Sequence, residues 1–173
     1  MKKARLKVTL ACNKKCPYCI NKSKEYRSKW NTITTISEVD WTNYRSIIIS
    51  GGEPTMHCGL KCVLQLVRKA TRSPIYLQTN GVDLTKELVS SIDTCIDGIG
   101  LSIHDIVEFK HFYTRYLDIL RIKPIKLYIE DKLYYDANED RAEFDHFVHK
   151  DFTWRVWKAG EFDSQEDIFL YKS

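Results

Sequence analysis

Three cysteines within eight residues, Cys12, Cys16 and Cys19, follow directly on an apolar, strand-like run that begins near Arg5 and reaches Leu10. A chain that ends a strand on clustered thiols must open the strand's carboxyl end onto space for an inorganic centre, because thiolates are soft ligands suited to iron–sulfur clusters or to zinc. Three thiolates are one short of the four ligands that either group commonly takes from protein. The spacing therefore points to a centre with one position left open, which favours catalysis over a structural staple. The alternative is a zinc site completed by His57 or Cys58, although zinc ligands more often come as two separated pairs.

Later strand-like runs also end on polar residues. Ser46–Ser50 runs into Gly51-Gly52-Glu53-Pro54. The two glycines permit close approach of backbone to a ligand, and a carboxylate beside them can take charge-assisted hydrogen bonds from an ammonium group. An ordinary glycine turn with an exposed acid is the other reading. The run at 74–79 ends in Gln78-Thr79-Asn80-Gly81, where Asn-Gly by itself favours a turn. The run at 97–103 ends in Leu101-Ser102-Ile103-His104, and strand alternation turns Ser102 and His104 to the same side.

With both motifs in order on successive strand ends, the chain resembles the radical S-adenosylmethionine (SAM) superfamily from about Arg5 to Ile129. That family carries C-x3-C-x2-C with an aromatic residue before the last cysteine, here Tyr18. The resemblance implies a four-iron, four-sulfur cluster on Cys12, Cys16 and Cys19, with SAM chelating the remaining iron. It also implies reductive cleavage of SAM to methionine and a 5′-deoxyadenosyl radical that abstracts hydrogen from a substrate. Gly51, Gly52, Glu53 and Pro54 would hold the SAM amino group, Thr79 and Asn80 would border its pocket, and Ser102, with His104 as a second candidate, would meet its ribose or carboxylate. For His104 a hydrogen-bonded structural role stands beside this one. Glu130 is either a pocket residue or an exposed loop acid. Trp154 and Trp157 stand either near adenine or in aromatic packing.

The elements agree with that family's fold. Strand-like runs at 5–10, 46–50, 74–79, 97–103, 125–129 and 152–157 alternate with helical stripes: Leu60, Val63, Leu64 and Val67; Leu84, Leu88, Val89 and Ile92 with Thr85 as cap; and Ile106, Phe109, Tyr113, Leu117 and Leu120 with Asp105 as cap. Strands alternating with helices predict an α/β chain of parallel βα units. An eight-unit barrel takes about 250 residues, and at about 30 residues per unit the 173 residues allow five or six. A partial, open (βα)6-like barrel is expected, as one domain over 1–173 with its core at about 5–130. Residues 131–173 would add a last strand and a C-terminal extension, and 23–37 would form a polar loop over the mouth.

No stretch of 18 or more apolar residues is present, and no signal-type run follows Met1-Lys2-Lys3, so a cytoplasmic protein with no membrane partner is the expectation. Cys58, Cys62 and Cys95 are taken as structural, since free cysteine is commonly a small buried hydrophobe. Residues 1–45 hold eleven Lys or Arg against three Asp or Glu, while 46–173 hold sixteen against twenty. Lys14, Lys15, Lys22, Lys24, Arg27 and Lys29 thus surround the cysteine loop, either as solvated surface or as a patch that steers an acidic partner. A flavodoxin-like electron donor is the partner expected there.

For the substrate, Cys16-Pro17-Tyr18-Cys19-Ile20-Asn21 is similar to the cysteine run of some glycyl-radical-enzyme activases, which implies a macromolecular substrate. A small-molecule enzyme like 7-carboxy-7-deazaguanine synthase is the alternative. A non-catalytic iron–sulfur electron carrier or a zinc-binding module belongs to a different class, and Gly51-Gly52-Glu53 argues against a pure carrier.

Overall fold

The computed structural model describes residues 1–104, 106–130, 152–157 and 165–172. The elements in chain order are β1 (Lys3–Lys7), α1 (Lys24–Arg27), β2 (Trp30–Ile33), β3 (Ser46–Ser50), α2 (Leu60–Ala70), β4 (Ile75–Thr79), α3 (Lys86–Ile92), β5 (Gly98–Ile103), α4 (Ile106–Leu120), β6 (Ile125–Glu130), β7 (Thr153–Trp157) and β8 (Glu166–Tyr171). The strands form one sheet in the order β2-β8-β1-β3-β4-β5-β6-β7. Every neighbouring pair is parallel. β2 and β7 are its edges, so the sheet does not close. Within it β1, β3, β4, β5, β6 and β7 follow each other in chain order, which is the expected partial (βα)6 barrel.

The two faces of the sheet are chemically opposite. One carries Ala4, Leu6, Ile47, Ile49, Ile75, Leu77, Ile99, Leu101, Leu127 and Ile129, all buried in the hydrophobic core with residues of the helices. In α2 the stripe Leu60, Val63, Leu64 and Val67 is buried as its spacing predicts. Each such side chain contributes about 1.5–3 kcal/mol by leaving water. In α3 the cap is also as predicted, with the Thr85 side chain accepting from the Leu88 N–H. The other face presents Arg5, Lys7, Ser50, Gln78, Ser102, Tyr128 and Glu166 to a common cavity. Parallel strands covered on both faces normally read as continuous apolar runs. A polar inner face means that this space is kept for something other than core.

Four expectations need correction. β1 spans Lys3–Lys7 rather than 5–10. Beyond it the chain still pairs with β3 and the loop after it, through Val8 N–H to Ser50 O (2.9 Å), Gly52 N–H to Thr9 O (2.8 Å) and Glu53 N–H to Ala11 O (2.7 Å). Residues 23–37 are not a plain loop, for they contain α1 and β2. β2 is four residues long with Asn31 and Thr32 exposed, too short to show a period. In α4 the fully buried residues are Phe109, Tyr116 and Ile119, while Tyr113, Leu117 and Leu120 are only partly buried, so the apolar stripe is rotated from the predicted one. Finally, the C-terminal extension expected after the last strand contains a further strand, β8. It inserts between β2 and β1, and brings the C-terminal segment beside the first strand. Asp105 and the side chains of Glu130, Trp154 and Trp157 lie outside the described residues.

Candidate active site

The loop that carries the cysteines is held over the carboxyl ends of β1, β3 and β4. The backbone ladder between Val8–Ala11 and Ser50–Glu53 forms its stem, and this explains the two glycines. A Cβ on Gly51 would lie 2.4 Å from the Thr9 carbonyl oxygen, and one on Gly52 would lie 2.2 Å from that of Ala11. Sequence reasoning assigns these glycines to the approach of a ligand. The structure gives them a nearer task, because the space above them is filled by the stem of the cysteine loop.

Glu53 is fully buried. It caps the turn Pro54–Met56 by accepting the Thr55 N–H, and Pro54 suits the first position of that turn, where no amide donor is needed. One carboxylate oxygen also accepts Thr55 Oγ1 (2.7 Å) and Thr79 Oγ1 (2.6 Å). The other accepts the Asn80 N–H at 2.7 Å. Glu53 is therefore no exposed turn acid. It lines the cavity and braces the end of β4 against the end of β3.

Thr79 and Asn80 carry that brace on to the cysteines. Asn80 Nδ2 donates to Asn13 Oδ1 (2.7 Å), and Asn13 Nδ2 donates to Asp83 Oδ2 (2.7 Å). The following Gly81 has φ +82°, and a Cβ there would meet Leu101 at 2.4 Å and the Tyr116 hydroxyl at 2.6 Å. The Asn-Gly turn and the pocket border are thus one feature. Opposite, Gln78 Nε2 donates to Ser102 Oγ (2.8 Å). Tyr18 Oη lies 3.1 Å from His104 Nδ1, with the two rings stacked at 5.8 Å. Ser102 and His104 do face the same way, as alternation predicts, and Tyr18 ties the cysteine loop to the end of β5.

Cys12, Cys16, Cys19, Tyr18, Glu53, Thr79, Asn80, Ser102 and His104 all line one cavity of about 540 Å³. All three cysteines are free thiols. Burial pushes the Cys16 thiol pKa up, its two neighbouring cysteines add to this, and Lys14 works against them. Among the described residues no three His, Cys, Asp or Glu side chains are gathered around a single ion position. Three soft thiols lining one cavity, but not gathered on one ion position, fit a cluster, whose irons are separate and each take their own thiolate. Cys95 is buried, but Cys58 and Cys62 are exposed, so only Cys95 behaves as the small hydrophobe expected of all three.

Sequence reasoning passes over the wall formed by β8, β1 and β3. Arg5 makes a two-pronged pair with Glu166, Nε to Oε2 at 2.8 Å and Nη2 to Oε1 at 3.0 Å. Burial opposes the Arg5 charge, yet Glu166 holds its pKa above the ordinary value. Lys7 is 2% exposed, with Nζ about 5.0 Å from the Tyr26 ring centroid and 5.2 Å from that of Trp30. Burial, helped by Arg5, lowers its pKa to about 7. Alternating basic residues at 3, 5 and 7 are the available signal. In the sequence they only add to the basic charge of residues 1–45, whereas in the structure they form one face of a strand.

A sequence model of the radical SAM superfamily matches residues 6–130, and the chain belongs to that family. It is an enzyme family, and the fold described above is of its kind. Among curated proteins the chain is 31% identical over 107 residues to GTP 3′,8-cyclase of Chlorobaculum tepidum, covering 57% of this chain and 32% of that protein. It is 32% identical over 86 residues to a candidate glycyl-radical enzyme activating enzyme of Methanocaldococcus jannaschii, covering 46% and 35%. The chain thus spans about a third of the length of these relatives. Among solved structures, native anSMEcpe with bound AdoMet shares the fold at TM-score 0.64 and 19% identity, over 91% of this chain and 51% of that one. No helix among the described residues is long and apolar enough to cross a membrane.

Proposed function

We propose that this chain uses SAM and a [4Fe–4S] cluster to abstract hydrogen from a small polar substrate held inside the barrel. The observation that carries this reading is the single cavity that joins the three thiols to the polar inner face of the strands. When bound, the cluster would supply one-electron reducing chemistry for cleavage of a carbon–sulfur bond of SAM. Cys12, Cys16 and Cys19 would hold the cluster. Glu53, fixed by the hydroxyls of Thr55 and Thr79, would present its carboxylate and the adjoining Gly51–Gly52 backbone to the SAM ammonium. Ser102 and His104 would meet the ribose or carboxylate, with Tyr18 closing the cavity above them. Nucleotides are the first substrate class to test, because relatives are named GTP 3′,8-cyclase.

The second reading is a protein substrate, supported by the relative named as a glycyl-radical enzyme activating enzyme. The local likeness at Asn21 carries less weight than its sequence suggests. Asn21 accepts from Lys7 Nζ (2.6 Å) and donates to the Gly51 carbonyl (2.8 Å), so the fold itself gives this residue a reason to be there. A flavodoxin-like donor remains the proposed electron source, approaching the exposed Lys15, Lys22 and Lys24 beside the cysteine loop. With reduced, cluster-loaded enzyme and SAM, we expect a substrate nucleotide to raise 5′-deoxyadenosine output above its basal rate. Stimulation by a glycyl-radical enzyme, and by no nucleotide, would favour the second reading.

A further inference from the structure

The groups proposed for SAM occupy the side of the cavity formed by the ends of β3, β4 and β5. Next to them, at the ends of β1 and β3, two polar groups stand together without an assigned role. Lys7 and Ser50 are register partners on the parallel pair β1–β3, on strands about 4.8 Å apart. Both line the cavity. The Ser50 hydroxyl is buried and has no hydrogen-bond partner. A buried donor left unmade costs about 1–3 kcal/mol, so such a group is better explained by a ligand than by packing. Lys7 donates to the neutral amide of Asn21, and the nearby Glu166 carboxylate is already paired with Arg5. An ammonium has three donors. This one is buried among rings and an amide, with no carboxylate in ion-pair contact among the described residues.

We propose that Lys7 Nζ and Ser50 Oγ form an oxyanion subsite that anchors a phosphate or carboxylate group of the substrate. The subsite deepens the reading above and rests on it only for the word substrate, because the anion contact itself needs no SAM chemistry. A charge-assisted bond from the lysine and a neutral one from the hydroxyl would satisfy both groups at once. Along the sheet β4 separates the pair from Ser102 and His104, and all four residues line the same cavity. A substrate anchored there by its anionic end would extend toward the carboxyl ends of β4 and β5.

The test measures the affinity of inorganic phosphate, pyrophosphate and acetate for the cluster-loaded protein by calorimetry, with SAM affinity measured in parallel, for wild type, Lys7→Met and Ser50→Ala. We expect at least one of the anions to bind wild type and to lose tenfold or more in Lys7→Met and several-fold in Ser50→Ala, with SAM affinity changed by less than twofold. Ser50→Ala should melt at or above the wild-type temperature without anion, since it removes an unsatisfied hydroxyl, and this variant keeps the test open if Lys7→Met does not fold. No anion binding to wild type, equal anion affinity in the variants, or a loss that falls on SAM instead would overturn the subsite. None of these outcomes depends on whether SAM is cleaved, so failure of the subsite is distinguishable from failure of the proposed function.

Discussion

Glu53 accepts the backbone N–H of Asn80 at 2.7 Å, and through this bond the end of β3 fixes the end of β4. From there Asn80 reaches Asn13, next to the first cysteine. The residue proposed to meet SAM thus also aligns the loop proposed to hold the cluster. Replacing Glu53 with Gln keeps the shape but sets an amide N–H₂ group among donors. Unsatisfied buried donors cost about 1–3 kcal/mol, and at about 2–4 °C per kcal/mol for a chain of this size Tm should fall by several degrees. SAM affinity should fall at least tenfold while iron content stays near wild type. Unchanged Tm and SAM affinity would return Glu53 to a passive turn.

Gly52→Ala tests the stem of the cysteine loop. Its Cβ would lie 2.2 Å from the Ala11 carbonyl oxygen, so the backbone leading into Cys12 must move. Overpacking of this kind costs about 1–3 kcal/mol. We expect a lower Tm together with reduced iron uptake on reconstitution. Full iron with wild-type stability would show that the stem tolerates the shift.

Lys7 predicts a pH dependence of stability. Its pKa is about 7 in the folded chain against an ordinary 10.5. Between those values the unfolded chain binds more protons, so stability rises with pH across this window. The stabilisation is fully present above about 10.5 and is lost as pH falls toward 7, on the order of a few kcal/mol. Urea unfolding of iron-free protein from pH 7 to pH 10 should show a steeper rise for wild type than for Lys7→Met. Parallel curves would mean that burial does not lower the Lys7 pKa.

Much of the site was legible in the sequence because its parts are local. The cysteine spacing, Gly51–Glu53 and the alternation at Ser102 and His104 are each read within a few residues, and each motif falls at a strand end. The stripe in α2 and the cap at Thr85 were legible for the same reason. What was missed depends on pairing between distant segments. The four residues of β2 carry no period, and β8 gains its place by fitting between β2 and β1. Nothing in Glu166 alone announces that it will neutralise Arg5, and nothing in Lys7 announces burial. Those facts exist only once the C-terminal strand has docked beside the first.

The ligand assignment predicts that Cys12→Ala, Cys16→Ala and Cys19→Ala each lose most of the iron that wild type takes up, about four per chain for one cube. Cys58 and Cys62 are exposed, and replacing both with Ser should leave iron content and Tm near wild type. Cys95→Ala should lower Tm through lost packing but keep the iron. Loss of iron in the Cys58/Cys62 variant would mean a further centre, and full iron in any of the first three would remove that cysteine from the ligand set.

The most direct measurement is product formation by the reconstituted chain. Protein loaded anaerobically with iron and sulfide is reduced with dithionite, given SAM, and assayed by liquid chromatography and mass spectrometry. We predict 5′-deoxyadenosine and methionine in equal amounts, absent from Cys12→Ala under the same conditions. A fully iron-loaded, reduced wild type that binds SAM yet forms no 5′-deoxyadenosine, even with candidate substrates present, would contradict the proposed function.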